Sequence, residues 1–379
     1  MDRRAFVKAT GVAGIAGLAG CSGGPSDGSG DTATESPTES DDSDDGGEET
    51  TAAETTESGP AANVGMVYAT GGLGDGSFND QAQSGVIQAE EDFGIEYNEA
   101  QPDEVAQFST FQQQFAQSSD PNYDLVCCIG FLQLDSLTEN AESYPDQDFM
   151  IVDEVVDAPN VASYTFMEHE GSYLAGLMGS LLTTQEFSAG AGSTVPDSAA
   201  LGFVGGVESG LIQRFQAGFE AGAAAGNGDT EVLTNYTGSF NDPAAGREAA
   251  SAMYNDGADI VFHAAGNTGT GVFQAAQEAG RFAIGVDRAQ SITRDSYADV
   301  ILGSMIKRVD TPVYGAIESK VNGEFPGGEA LSLGLDEDGV DLVYGDSIGS
   351  DVPEAVADEV ATAREDIVNG DISVPMSPE

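Results

Sequence analysis

Ten short runs rich in Val, Ile and Phe, separated by longer segments, constrain the fold of this chain more than any other feature. They form two sets of five, and within each set the first three runs begin about thirty residues apart, the spacing of βαβ units. Each set therefore predicts one α/β lobe. The predicted strands are 63–69, 95–98, 124–130, 149–153 and 161–166, then 200–205, 231–236, 259–265, 282–286 and 300–305.

The segments between these runs carry apolar residues at mixed three- and four-residue spacing, which predicts helices. In parallel sheets with right-handed crossovers, the carboxyl ends of the strands share one edge, where ligands bind. Two lobes with facing edges form a cleft that closes by hinge motion, as in extracytoplasmic binding proteins. The predicted helices are 81–93, 104–118, 172–182, 210–226, 243–255 and 270–279.

The first 20 residues resemble an export signal. Arg3, Arg4 and Lys8 precede an apolar run of 12 residues, 9–20, which is too short to span a bilayer. The paired arginines resemble a twin-arginine signal, and Leu-Ala-Gly before Cys21 resembles a lipoprotein cleavage box. We therefore expect lipid on Cys21, which would hold the mature protein on the extracellular face of the cell membrane. The alternative is an uncleaved hydrophobic N-terminus.

Residues 21–60 predict a disordered acidic linker. From residue 22 onward this segment has 12 acidic residues, no Lys or Arg, and no large apolar side chain, so it cannot bury a core. A self-repelling linker of this kind would hold a folded domain away from the bilayer.

The chain has a formal net charge of −53, which would repel nucleic acid. The acidic residues are spread along the whole sequence, and after Lys8 only Lys307 and Lys320 remain as lysines. A surface for a cationic ligand would concentrate the charge on fewer segments. The pattern instead indicates adaptation to molar salt, where charges are screened within a few ångströms.

Cysteine and histidine usage does not predict an enzyme or a cofactor. Cys127 and Cys128 are neighbours in a strand run, so their side chains point to opposite faces and are predicted to be core residues. The two histidines, His169 and His263, belong to no H-E-x-x-H, and the chain has no G-x-S-x-G motif or Cys–His arrangement.

A glycine-rich loop at 70–80 joins the first strand to the first helix, and its sequence is Thr-Gly-Gly-Leu-Gly-Asp-Gly-Ser-Phe-Asn-Asp. Its glycines permit close backbone approach, and Asp75, Phe78 and Asn79 offer an acceptor, an aromatic face and an amide. Phosphate binding is disfavoured because the loop is acidic and lacks the G-x-x-x-x-G-K-[ST] pattern.

This loop resembles the Gly-Gly-x-x-Asp-x-Ser-Phe-Asn signature of the basic membrane protein family, also called the PnrA-like lipoproteins, which are nucleoside-binding subunits of ABC importers. Further segments resemble the family in the same order over about 240 residues. These segments are 144–153, 159–161, 166–176, 202–206, Gly269, 284–287 and 304–307.

The resemblance implies a two-lobed periplasmic-binding-protein type I fold, in which each lobe is a parallel sheet flanked by helices and the ligand lies in the interlobe cleft. The N-terminal lobe would comprise 61–167 with about 309–330, and the C-terminal lobe 168–308 with about 331–379. The implied partners are a permease and an ATPase, the protein being a monomer tethered to the membrane.

The resemblance also implies a site for a purine nucleoside. Phe78 would stack on the base, and Asn79 and Asp153 would bond its edge. Asp287 and Lys307 would hold the ribose hydroxyls, since carboxylates accept from paired hydroxyls and Lys supplies a point charge. In the alternative reading, the two aspartates cap turns after their strands and Phe78 is a core residue.

Four further positions complete the implied site. Gly269 would offer its backbone, and Asp75 would brace the loop. The second aromatic face would be Phe240 or Phe262, and we favour Phe240 because it lies in a loop.

The sequence departs from the family pattern at Thr70, Gly74, Gly76 and 288–290, which leaves the base preference open. Two other functions also remain open, namely a sugar in the same cleft and a receptor that presents its ligand to a membrane sensor.

Overall fold

The structure is a computed structural model that describes residues 59–378. The predicted export signal, Cys21 and nearly all of the predicted linker lie outside the described residues. The strands are β1 Asn63–Val67, β2 Glu96–Ala100, β3 Leu125–Ile129, β4 Asp148–Val152, β5 Val161–Phe166, β6 Ser188–Ala189, β7 Gly192–Ser193, β8 Ala200–Gly205, β9 Glu231–Tyr236, β10 Ala258–Ala264, β11 Phe282–Asp287, β12 Ile301–Lys307, β13 Ala330–Leu333 and β14 Val340–Tyr344.

Helices alternate with most of these strands. They are α1 Phe78–Phe93, α2 Phe108–Gln117, α3 Leu134–Ser143, α4 Glu168–Thr183, α5 Gly210–Gly226, α6 Pro243–Asn255, α7 Gly269–Ala279, α8 Gln290–Thr293, α9 Asp310–Val321 and α10 Glu354–Val368. Within residues 59–378, none of them combines the length and the apolar character needed to cross a bilayer.

Two six-stranded sheets form the two predicted α/β lobes. The first has the order β13-β5-β4-β3-β1-β2 and is parallel throughout, and the second has the order β14-β12-β11-β10-β8-β9. Only β14 is antiparallel to its neighbour within these two sheets. All ten predicted strands are present, and β4 and β11 occupy equivalent places in their sheets.

Helices cover both faces of each sheet, so the strands are buried on both sides. All five residues of β3 are buried, and Cys127 and Cys128 belong to separate cores on its two faces, which confirms their prediction as core residues. In the second lobe α4 packs against α5 and α10, while α6 packs against α7.

The chain crosses between the lobes three times, after β5, after β12 and after β13. The third crossing was expected near residue 330. In the structure Ala330–Leu333 pairs with β5 in the first sheet, so the crossing follows Leu333. This strand was not predicted, since three of its four residues are exposed and it carries no apolar run.

Glycines let α4 and α5 meet backbone to backbone. A Cβ on Gly222 would lie 2.0 Å from the carbonyl oxygen of Tyr173, and a Cβ on Gly176 would lie 2.0 Å from that of Phe219. Real Cβ atoms do not approach this closely, so any side chain would push the helices apart.

We expect Gly222→Ala to destabilise the protein by about 1–3 kcal/mol, because the added methyl group overpacks against a helix backbone that cannot rotate away. Gly315→Ala is the matched control, since nothing lies within 4 Å of its Cβ position in α9. The control should stabilise the protein by about 0.5–1 kcal/mol because Ala is the better helix former. Denaturant unfolding measures both changes, and a Gly222→Ala variant as stable as the wild type would contradict the prediction.

Candidate functional site

A cavity lies between the two lobes at the carboxyl ends of their strands, with about 670 Å³ of empty space counted out to its mouth. The first lobe lines it with the loops that follow β1, β3 and β4. The second lobe lines it with the first turns of α5, the loops after β9 and β10, and the ends of β11 and β12. Seven of the nine predicted ligand-binding residues line this cavity, namely Asp75, Phe78, Asn79, Asp153, Phe240, Asp287 and Lys307.

Phe262 does not reach the cavity. Its ring is fully buried in the second lobe, 5.7 Å from the ring of Phe203 and 5.2 Å from that of Phe219. Of the two candidates for the second aromatic face, Phe240 is therefore the one that lines the cavity. Every residue of β10 is buried, so the sequence of this strand has no alternation of apolar and polar residues that would show which side chains point toward the cavity.

Gly269 also lies outside the cavity lining, contrary to the expectation that its backbone would meet the ligand. It is the first residue of α7, and a Cβ there would lie 1.9 Å from Cε1 of His263. The glycine therefore makes room for a buried histidine ring. The loop residues that do line the cavity at this place are Ala265 and Gly266.

Asp75 and Asn79 brace the glycine-rich loop. The Asp75 carboxylate accepts hydrogen bonds from the backbone N–H groups of Ser77 and Asn79, both at 2.9 Å. The Asn79 amide donates to Gly72 O and to Asp75 Oδ2, each at 3.1 Å, and its oxygen accepts from Ala69 N. Both amide hydrogens are used, so Asn79 has only one oxygen lone pair left for a ligand.

Aromatic rings from both lobes border the cavity. Phe78 is the first residue of α1, and its ring lies against Gly130, where a Cβ would be 3.4 Å from Phe78 Cε1. Phe240 meets Phe131 of the other lobe edge to face, with ring centroids 6.2 Å apart. Phe131 was not predicted, although it directly follows a predicted strand end. Phe215 on α5 was also missed, because its spacing matches a core position of a helix.

The ammonium group of Lys307 is the centre of a buried ionic cluster. Its Nζ lies 2.6 Å from Asp153 Oδ1 and 3.1 Å from Glu168 Oε1, and the Nε of Arg214 lies 3.1 Å from Glu168 Oε2. Although burial favours the neutral amine, the surrounding carboxylates raise the pKa of Lys307, so the group stays charged. Glu168 was not predicted as a site residue, since a helix-start acid is usually read as a cap or a dipole partner.

Three aromatic rings surround the same ammonium group. The ring centroids of Phe166, Phe78 and Phe215 lie 5.0, 5.2 and 5.7 Å from the Lys307 Nζ. Cation–π attraction is strongest where water is excluded, and Lys307 is 1% exposed. The rings and carboxylates together fix the position of the charge.

Asp153 directly follows β4, and Asp287 is the last residue of the equivalent strand β11. Both have left-handed backbones, with φ of 77° and 63°, a conformation that Asp tolerates better than most residues and that clusters at functional sites. Within residues 59–378 neither side chain accepts from a backbone N–H, so turn capping does not explain them. Asp287 accepts a hydrogen bond from the Ser77 hydroxyl across the cleft.

Burial raises the pKa of Asp287 to about 7, with Lys307 and Ser77 opposing the shift. An unfolded Asp has a pKa of about 3.9, so the folded protein binds this proton more tightly. The contribution of this proton to the free energy of unfolding is fully present below about pH 4, and it is lost as the pH rises through about 7.

We therefore expect the free energy of unfolding without ligand to fall between about pH 5 and pH 7, by up to about 1.4 kcal/mol per pH unit for this proton. Asp287→Asn should flatten that fall, whereas Asp295→Asn, which removes an exposed carboxylate in the same lobe, should not. Denaturant unfolding across the pH range measures the effect. An identical slope in Asp287→Asn and wild type would contradict the assignment.

Comparisons with known proteins agree with this geometry. The family described as "ABC transporter substrate-binding protein PnrA-like" matches residues 62–377. The CD4+ T-cell-stimulating antigen of Listeria innocua is 36% identical over 335 residues, which cover 83% of this chain and 88% of the relative. The ABC transporter nucleoside-binding protein BmpA of Lactococcus lactis is 33% identical, with 82% and 88% covered. An uncharacterized lipoprotein of Pyrococcus abyssi is also 33% identical, with 76% and 70% covered.

Among solved structures, an ABC transporter solute-binding protein from Aeropyrum pernix superposes with a TM-score of 0.72 at 28% identity, covering 84% of this chain and 94% of that one. The two-lobed periplasmic-binding-protein fold is thus confirmed, and the family's role is solute binding for ABC transporters and not catalysis. This chain belongs to the PnrA-like, or basic membrane protein, family of ABC transporter substrate-binding proteins.

Proposed function

We propose that this substrate-binding protein carries a purine nucleoside in its interlobe cavity and delivers it to the permease and ATPase of an ABC importer. The observation that carries the proposal is the convergence of aromatic rings and hydroxyl-binding carboxylates in one buried cavity. The name of the Lactococcus lactis relative, a nucleoside-binding protein, supports the ligand class.

The aromatic rings suit the base. Phe78 enters from the first lobe and Phe240 from the second, so a flat ring system can contact aromatic surface from both sides as the lobes close. The remaining lone pair of the Asn79 oxygen can accept from an N–H on the edge of the base.

The ionic cluster suits the ribose. Asp287 supplies a carboxylate acceptor for hydroxyl donors, and Lys307, whose Nζ lies 2.6 Å from Asp153 Oδ1 and 3.1 Å from Glu168 Oε1, supplies an ammonium donor. With Asp287, which also acts on Lys307, three carboxylates (Asp153, Glu168 and Asp287) face the two cations Lys307 and Arg214, so the site has a net negative formal charge when all are ionised. A neutral nucleoside is therefore favoured over a phosphorylated one.

Calorimetry at high salt with guanosine, inosine, adenosine, ribose and adenine tests the proposal. Asp287→Asn should weaken nucleoside binding by about 1.5–3 kcal/mol, because hydroxyl hydrogen bonds to a charged group are lost. The same variant should affect adenine much less. Phe78→Ala should weaken both nucleoside and free base, since each depends on the aromatic face.

Asp295→Asn is the control and should bind as the wild type does. A wild-type protein that ignores every nucleoside but binds ribose or another sugar would replace the proposal with the sugar alternative, which needs the carboxylates without the rings. Normal nucleoside binding by Asp287→Asn would show that the ribose lies elsewhere.

We further propose that the protein is a lipid-anchored monomer on the extracellular face of the cell membrane. The cleavage box before Cys21 supports this, and the Pyrococcus abyssi relative is itself named a lipoprotein.

Cys21→Ser should leave the precursor unprocessed or release the protein into the medium, because the thiol that would carry the lipid is gone. Cell fractionation with immunoblotting measures this. Cys127→Ser serves as the control, since that thiol is buried in the first lobe. Unchanged processing and membrane association in Cys21→Ser would disprove the anchor.

A further inference from the structure

A second group of interlobe contacts lies outside the cavity. Thr293 Oγ1 donates to Gly76 O at 3.0 Å, Gln290 Nε2 donates to the same oxygen at 3.2 Å, and Arg294 Nη2 donates to Gly74 O at 3.0 Å. The donors all belong to the second lobe, and the acceptors are carbonyls of the glycine-rich loop in the first. None of these five residues lines the ligand cavity.

The loop is shaped to receive these donors. A Cβ on Gly76 would lie 2.6 Å from the guanidinium carbon of Arg294, so the guanidinium packs directly against loop backbone. Gly76 also has a φ of 59°, which Gly adopts without strain. Its neighbours are Asp75, Ser77 and Phe78, so the donors hold the part of the loop that faces the ligand.

The orientation of Gln290 is itself fixed. Its side chain is 1% exposed, and its Oε1 accepts from Val286 N at 2.8 Å and lies 2.9 Å from His263 Nε2. Burial lowers the pKa of His263 to about 4, so the ring is neutral at neutral pH. Because the Gln290 oxygen can only accept, the contact with Nε2 is a hydrogen bond in the tautomer that carries its hydrogen on Nε2. With Oε1 occupied in this way, the amide nitrogen must point at Gly76.

This arrangement also gives Gly269 a role. The absence of a side chain at Gly269 leaves space for the His263 ring. The His263 ring contacts the Gln290 amide oxygen, and the Gln290 amide nitrogen donates to Gly76 O in the first lobe. A run of contacts thus leads from the start of α7 to the glycine-rich loop without passing through the cavity.

We propose that Gln290, Thr293 and Arg294 are a closure latch, that is, positioning residues that hold the closed lobes together and so set ligand affinity without touching the ligand. Only the choice of nucleoside probe rests on the proposed function. A latch changes the closed fraction, so its loss weakens every ligand by the same factor. The loss should appear mainly as faster dissociation, because association occurs before the latch forms.

The test uses the full chain with Thr293→Val and Arg294→Ala. Both side chains are only partly buried, so the variants are expected to fold, and denaturant unfolding checks this. Arg288→Ala is the matched control, because it removes the same charge from the segment between β11 and β12, and within residues 59–378 its guanidinium makes no hydrogen bond to the first lobe.

Small-angle X-ray scattering without ligand should show a larger radius of gyration for the two latch variants than for wild type and Arg288→Ala. Stopped-flow and calorimetry with guanosine, inosine and adenosine should show about 3–10-fold weaker binding, with the same factor for each nucleoside, as expected for one lost hydrogen bond. Arg294→Lys should recover part of the loss, since Lys can still donate to Gly74 O.

An unchanged radius of gyration in both Thr293→Val and Arg294→Ala overturns the latch, whether or not the protein binds a nucleoside. A change in the ranking of the three nucleosides would also overturn it, because it would show that these residues contact the ligand. If wild type binds none of the nucleosides, the proposed function fails, and the scattering comparison alone decides on the latch.

Discussion

The buried ammonium group of Lys307 is the interaction on which the cleft depends. A lysine that is 1% exposed keeps its charge only because carboxylates lie at 2.6 and 3.1 Å, and those carboxylates are tolerated in the interior only because the ammonium is there. Asp153 comes from the first lobe, whereas Lys307 and Glu168 come from the second. The ion pair therefore joins the lobes at the place where a ligand would bind.

The two lobes contribute equivalent parts to this place. Asp153 and Asp287 lie at the carboxyl ends of equivalent strands, the first directly after β4 and the second as the last residue of β11, and both have a left-handed backbone. Their surroundings make them differ. Asp153 is paired with Lys307, while Asp287 accepts from a neutral hydroxyl of the opposite lobe and has a pKa near 7. The two sheets thus place an equivalent carboxylate at the same edge, but Asp153 is held in an ion pair with Lys307, whereas Asp287 is not and can accept from a ligand.

The cavity residues and the donors of the proposed latch lie on neighbouring segments but are separate residues. The end of β11 places Asp287 in the cavity, and the short helix α8 that follows places its donors on the glycine-rich loop outside it. The loop has the same division, since Phe78 faces the cavity while Gly74 and Gly76 accept bonds from α8 and Arg294. The two segments can therefore recognise a ligand with one set of atoms and each other with another.

The sequence by itself determined the two α/β lobes, because apolar runs at βαβ spacing have few other solutions, and it located most of the cavity residues, because loops after parallel strands share one edge. It favoured Phe240 over Phe262 only because Phe240 lies in a loop, since a strand buried on both faces shows no alternation that would have excluded Phe262. Only the tertiary structure decided the roles of Gly269, Glu168, Phe131 and the latch donors. Each of these depends on a partner distant in the chain, and the strength of such contacts depends on burial, which local sequence does not encode.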